Sequence, residues 1–104
     1  MKFLMWVCVD PALLGSAPQE PDTWVQDTGE RRIEGHQLRP VSDATTVWPK
    51  ADGTFVSDGP FAETKEQIAG YDLLDCEDLA EAIEIASAHP VAKFGAIELR
   101  PVWE

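Results

Sequence analysis

Residues Phe3 to Val9 are apolar without a break, which predicts a strand covered on both faces rather than one with a wet side. Asp10 to Pro21 holds three prolines, a glycine and a serine, so it reads as a loop. Pro21 and Asp22 suit the first turn of a short helix through Trp24 and Val25, with Gly29 as its stop. Arg32 to Leu38 alternates loosely and predicts a second strand, bulged at Gly35. Two β-rich runs, Ala44 to Trp48 and Thr54 to Val56, flank Asp52-Gly53, a hairpin signal. Ile68 to Leu74 predicts a further strand.

The best helical pattern runs from Glu77 to Ala88, with Asp75 as the expected N-cap and Pro90 beyond its end. Leu79, Ala82, Ile83 and Ala86 recur at helical spacing and predict its buried stripe. Ala96 to Val102 predicts a last strand, with Ile97 and Leu99 on one face. The order strand, helix, strand, hairpin, strand, helix, strand predicts an α+β fold. Its expected form is a ferredoxin-like antiparallel sheet with two helices on one face. Two helices cover only one side of a sheet, yet the first strand is apolar on both. A second copy of the chain is the simplest cover for the other side, giving a homodimer. Trp48, Phe55 and Trp103 would also find cover at such an interface.

The 104 residues suit one domain, spanning 1–104. The formal charge is −11, from 19 acidic against 8 basic residues, so the surface repels phosphate backbones and argues against direct nucleic-acid binding. An anionic membrane surface would repel it as well. The apolar opening ends at Asp10-Pro11, too short for a signal peptide, and no window has the length of a membrane span. Cys8 and Cys76 are too few for a disulfide framework. These features predict a cytoplasmic protein.

Four separated segments carry a family resemblance: GHQLRP, ATTVW, DGPFAETKEQIAGYDLLD and the closing AIELRPVWE. With them the chain resembles the DGPF family of YCII-related proteins over nearly its whole length. Pro21 to Gly35 is shorter than the family's usual first helix. The resemblance implies a dimeric α+β barrel, a His–Asp pair suggested as catalytic, and for some members a link to alternative sigma factors.

Asp58 is the leading candidate for chemistry. A carboxylate at a strand end can act as general base, and the same carboxylate can simply accept backbone N–H bonds in its turn. His36 is one of two histidines and can carry protons near neutral pH. If its strand pairs beside the hairpin, it approaches Asp58 across one strand spacing, roughly 5 Å. Phe61, Glu63 and Lys65 would line the same cleft around a small-molecule ligand, although AETKE also reads as a solvated face. His89, in the last helical turn, reads as structural, its cation matching the helix dipole. No motif for a metal, cofactor or phosphate is present, so no cofactor is expected. The candidate functions are a proton-transfer or lyase-type enzyme using Asp58 and His36, and a non-catalytic ligand-binding or regulatory module tied to transcription.

Overall fold

The computed structural model describes residues 1–16, 22–62, 64–93 and 95–104. Its elements in chain order are β1 (Lys2–Val9), α1 (Asp22–Thr28), β2 (Arg32–Gln37), β3 (Thr45–Trp48), β4 (Phe55–Asp58), β5 (Gln67–Asp75), α2 (Leu79–Ser87) and β6 (Ala96–Pro101). A four-stranded antiparallel sheet runs in the order β2-β5-β1-β6, and β3 pairs with β4 in a separate two-stranded sheet. With one helix in each crossover, this is the order a ferredoxin-like, split β-α-β arrangement requires.

The apolar opening run becomes the central strand β1, and its two faces have different fates. Phe3, Met5, Val7 and Val9 are buried, while Leu4, Trp6 and Cys8 are half-buried. The buried side forms the core with Leu74 and Cys76 from the β5 end, Trp24 of α1, and Ala82 and Ala86 of α2. Both helices therefore pack on the same face. Trp24 Nε1–H donates to the Ile85 carbonyl at 2.8 Å and ties the helices to each other.

Three expectations need correction. The cap of α2 is Asp78, which accepts the Glu81 N–H at 2.9 Å. Asp75 cannot cap because it ends β5, and the next residue, Cys76, still donates its N–H to the Met1 carbonyl at 2.8 Å. The buried stripe of α2 is Ala82 and Ala86, with Ile85 packed on the core, while Leu79 and Ile83 are 49% and 50% exposed. Small residues face the core here, where the broad Trp24 ring fills the gap between helices. The irregular register in β2 falls between Arg32 and Glu34, not at Gly35.

His89 is buried just past α2, 4.8 Å edge-on from Trp24, and its Nδ1 accepts the Val91 N–H at 3.1 Å. Its role is structural as expected, but burial pushes its pKa down. It holds the chain as a neutral ring rather than as a cation at the helix end.

Candidate functional site

The uncovered face of the sheet carries a row of rings. Strand alternation brings His36 of β2 opposite Tyr71 of β5, and Tyr71 opposite Trp6 of β1. The ring centres lie 5.9 Å apart for His36–Tyr71 and 6.5 Å for Trp6–Tyr71. Glu98 of β6 continues the row on the far side of Trp6. His36 is exposed, and its imidazole bonds to no other described residue. The outcome is a wet imidazole at one end of an aromatic floor.

The hairpin places the other candidates. Asp52-Gly53 forms the predicted turn, closed by Gly53 N–H to Lys50 carbonyl at 3.2 Å, and β3 and β4 run Thr45 opposite Asp58 through Trp48 opposite Phe55. Beyond Asp58, Gly59 has φ of 95°, a conformation that favours glycine. Its N–H reaches the Ala44 carbonyl at 2.7 Å, and its carbonyl accepts the Thr46 hydroxyl at 2.8 Å. The turn is thus held by Gly59 and Thr46. The exposed Asp58 carboxylate accepts no hydrogen bond from a described residue, so the turn-capping role expected for it is not seen.

Phe61 lies 5.2 Å from the Trp48 ring and is otherwise open to solvent. Glu63 lies outside the described residues. Lys65 Nζ stands 4.0 Å from Asp10 Oδ2 at the end of β1, and Gln67 Nε2 binds the Ala62 and Thr64 carbonyls at 2.7 and 2.9 Å. The loop after SDGPF therefore returns to the end of the sheet where β1 finishes and β5 begins. Asp10, read from sequence only as a strand breaker, faces Lys65 here and also caps the Ala12 N–H at 3.0 Å.

The expected pairing of β2 with the hairpin does not occur. β2 pairs with β5, whereas among the described residues β4 pairs with β3 alone, so Asp58 and His36 stand on different sheets. Long-range closure of β2 onto β5 leaves the intervening segment looped out. Within one chain, no hydrogen bond joins the two described side chains.

Two further polar features lie elsewhere. On the helix side of the sheet, buried Asp72 meets Arg32 Nε at 2.7 Å. Burial pushes the Asp72 carboxyl up, against a downward pull from Arg32 and His36. A shallow pocket of about 400 Å³ opens among Glu30, Arg31, Asp75, Cys76, Glu77 and Glu81. It sits at the end of the sheet away from Asp10 and Lys65, and an Arg31–Glu81 contact of 2.8 Å occupies its wall. Among the described residues, no group of three His, Cys, Asp or Glu side chains converges as a metal site. No helix among them is long and apolar enough to cross a membrane.

An α+β chain with this antiparallel sheet and two helices has recognisable relatives. The model of the YCII-related domain matches residues 1–104, and the chain belongs to that family. An uncharacterized protein of Rhizobium meliloti (strain 1021) is 44% identical over 70 residues, covering 64% of this chain and 55% of that protein. The chain thus aligns with little more than half the length of that curated relative.

Proposed function

We propose that this protein is a small-molecule enzyme of the proton-transfer or lyase type, working in the cytoplasm as a homodimer closed into an α+β barrel. The observation that carries the reading is the exposed His36 imidazole, 5.9 Å from Tyr71 at the end of a ring-lined sheet face. An unbonded imidazole can both take and give a proton. Trp6 and Tyr71 would seat an apolar or planar substrate body, while Asp58 supplies a carboxylate to orient or deprotonate. Phe61, Glu63 and Lys65 would border the entrance. The half-buried Leu4, Trp6 and Leu73 on the same face support a second copy as its cover.

The test follows His36 directly. His36 imidazole resonances would be monitored while small carbonyl compounds are added in D2O. Wild-type protein should exchange an acidic C–H of a bound compound, and His36→Ala should lose about 100-fold or more of that rate, the usual scale of general acid–base catalysis. Compounds that bind but show no protein-dependent exchange would instead support a non-catalytic ligand-binding or regulatory module linked to transcription, and exchange unaffected by His36→Ala would overturn His36 as the proton carrier. The exposed apolar side chains of the hairpin are the observation favouring that second reading.

A further inference from the structure

The hairpin carries an apolar pair on each face, beside Thr45 and Asp58 on one and Thr46 and Ser57 on the other. Val47 lies opposite Val56, and on the reverse side Trp48 lies opposite Phe55. Val47, Val56 and Phe55 are 54%, 55% and 59% exposed, and Phe61 beside Trp48 is 71% exposed. From Gly29 to Ala69, no described residue is buried. An isolated two-stranded hairpin is marginal in water. Apolar pairs on both sides of a ribbon could not both be covered by laying it against its own sheet. The radius of gyration, 15.4 Å, also exceeds the roughly 13 Å expected for a compact domain of this length. The ribbon is an arm that lacks its cover.

The same chain offers a matching surface. Its open sheet face presents Leu4, Trp6, Tyr71 and Leu73, all half-buried, with His36 at the edge. A chain of charge −11 repels a copy of itself at long range, so contact between copies must come from apolar surface, which the arm offers and which the β1–β5 centre of this face offers between Glu34 on β2 and Glu98 and Arg100 on β6. A basic partner would instead call for an acidic arm, whereas the strands of this one carry only Asp58.

We propose that the β3–β4 arm clasps a second copy of the chain and carries SDGPF to the partner's open face, so that Asp58 meets the partner's His36. The inference rests on the dimeric reading above and adds that each site is completed in trans. It accounts for two observations together: Asp58 and His36 stand on different sheets within one chain, and neither side chain has a polar partner among the described residues.

Two measurements on the full chain test it. Val47→Ser, Phe55→Ser and Phe61→Ser change only exposed side chains, so circular dichroism should show the fold intact. The dimer dissociation constant should rise at least about tenfold, equivalent to roughly 1.4 kcal/mol. In a Cys8→Ser background, chains carrying Asp58→Cys and differently sized chains carrying His36→Cys would be mixed and treated with a short bis-maleimide. A cross-linked pair of unequal chains is expected. A monomeric parent protein by light scattering would overturn both the dimer and the arm. A dimer that ignores the serine substitutions, fails to cross-link, or cross-links a doubly substituted chain only within itself would overturn the arm alone. Loss of the fold in the triple variant would show that the arm is needed within the monomer and would likewise count against the proposal.

Discussion

Asp72 Oδ1 lies 2.7 Å from Nε of Arg32 on the helix side of the sheet, and Gly35 leaves room for it. A Cβ on Gly35 would fall on the Asp72 carboxylate and within 2.8 Å of Arg32 Nη2. That Arg32 nitrogen also donates to the Gly35 carbonyl at 2.9 Å. One glycine therefore lets an edge strand and its neighbour share a buried ion pair. Gly35→Ala should push the carboxylate off its partner and destabilise the fold by about 2 kcal/mol or more, since severing a buried pair costs roughly 3–5 kcal/mol. Urea denaturation of the two proteins would measure it.

The same pair sets a pH dependence of unusual sign. Burial raises the Asp72 pKa above its ordinary 3.8, so the folded state holds this proton more tightly than the unfolded one. Its contribution to stability is complete below about pH 3.8 and fades as pH rises through the raised folded value. Asp72→Asn removes that titration while keeping an oxygen for Arg32. The stability of wild type relative to Asp72→Asn should therefore decline as pH rises from 3 to 7. An advantage that grows with pH would mean that Arg32 outweighs burial.

Helix capping gives a third test. Asp78 accepts the Glu81 N–H, while Glu81 Oε1 accepts the Glu77 N–H at 3.0 Å. Asp78→Ala should lower stability by about 1 kcal/mol, as loss of an N-cap does. Asp75→Ala should cost clearly less, because Asp75 belongs to the strand. Equal losses would count against Asp78 as the cap.

How much was legible beforehand depended on distance along the chain. The unbroken apolar run of β1 announced a strand, and Asp52-Gly53 announced the hairpin, because both signals are local. The start of α2 is ambiguous in sequence because Asp75, Glu77 and Asp78 all resemble first-turn residues. Pairing of Asp75 with Lys2, continued by Cys76 to Met1, assigns Asp75 to the strand. The Arg32–Asp72 pair joins residues 40 apart, and no local pattern marks such a contact. Nor does any local pattern show that β2 skips the hairpin to reach β5. Trp6 and Tyr71 were visible only as apolar strand residues, since their alignment with His36 depends on that register.

His89 supplies an acid-sensitive step at ordinary pH. Its pKa falls below 6.5 through burial, so the unfolded chain takes up the proton first as pH drops. Its contribution is present above about pH 6.5 and lost as pH falls through the lower folded value. His89→Asn keeps an acceptor for the Val91 N–H but cannot titrate there. Between pH 7 and 5, wild type should lose stability relative to His89→Asn. Parallel profiles for the two proteins would remove the effect.

Asp58 is where turn and chemistry can be separated. The turn is held by Gly59 bonding to Ala44 and Thr46, without help from the Asp58 carboxylate. Asp58→Asn changes the charge and little of the shape, so stability should stay within about 0.5 kcal/mol of wild type, as for ordinary surface changes. Gly59→Ala, by contrast, forces a side chain into the conformation at φ of 95° and should destabilise by about 1 kcal/mol or more. If Asp58 orients or deprotonates a ligand, Asp58→Asn should weaken binding or turnover by about tenfold or more while the denaturation midpoint holds. A ligand that binds and reacts equally well with Asp58→Asn would leave the residue as the end of a strand and nothing more.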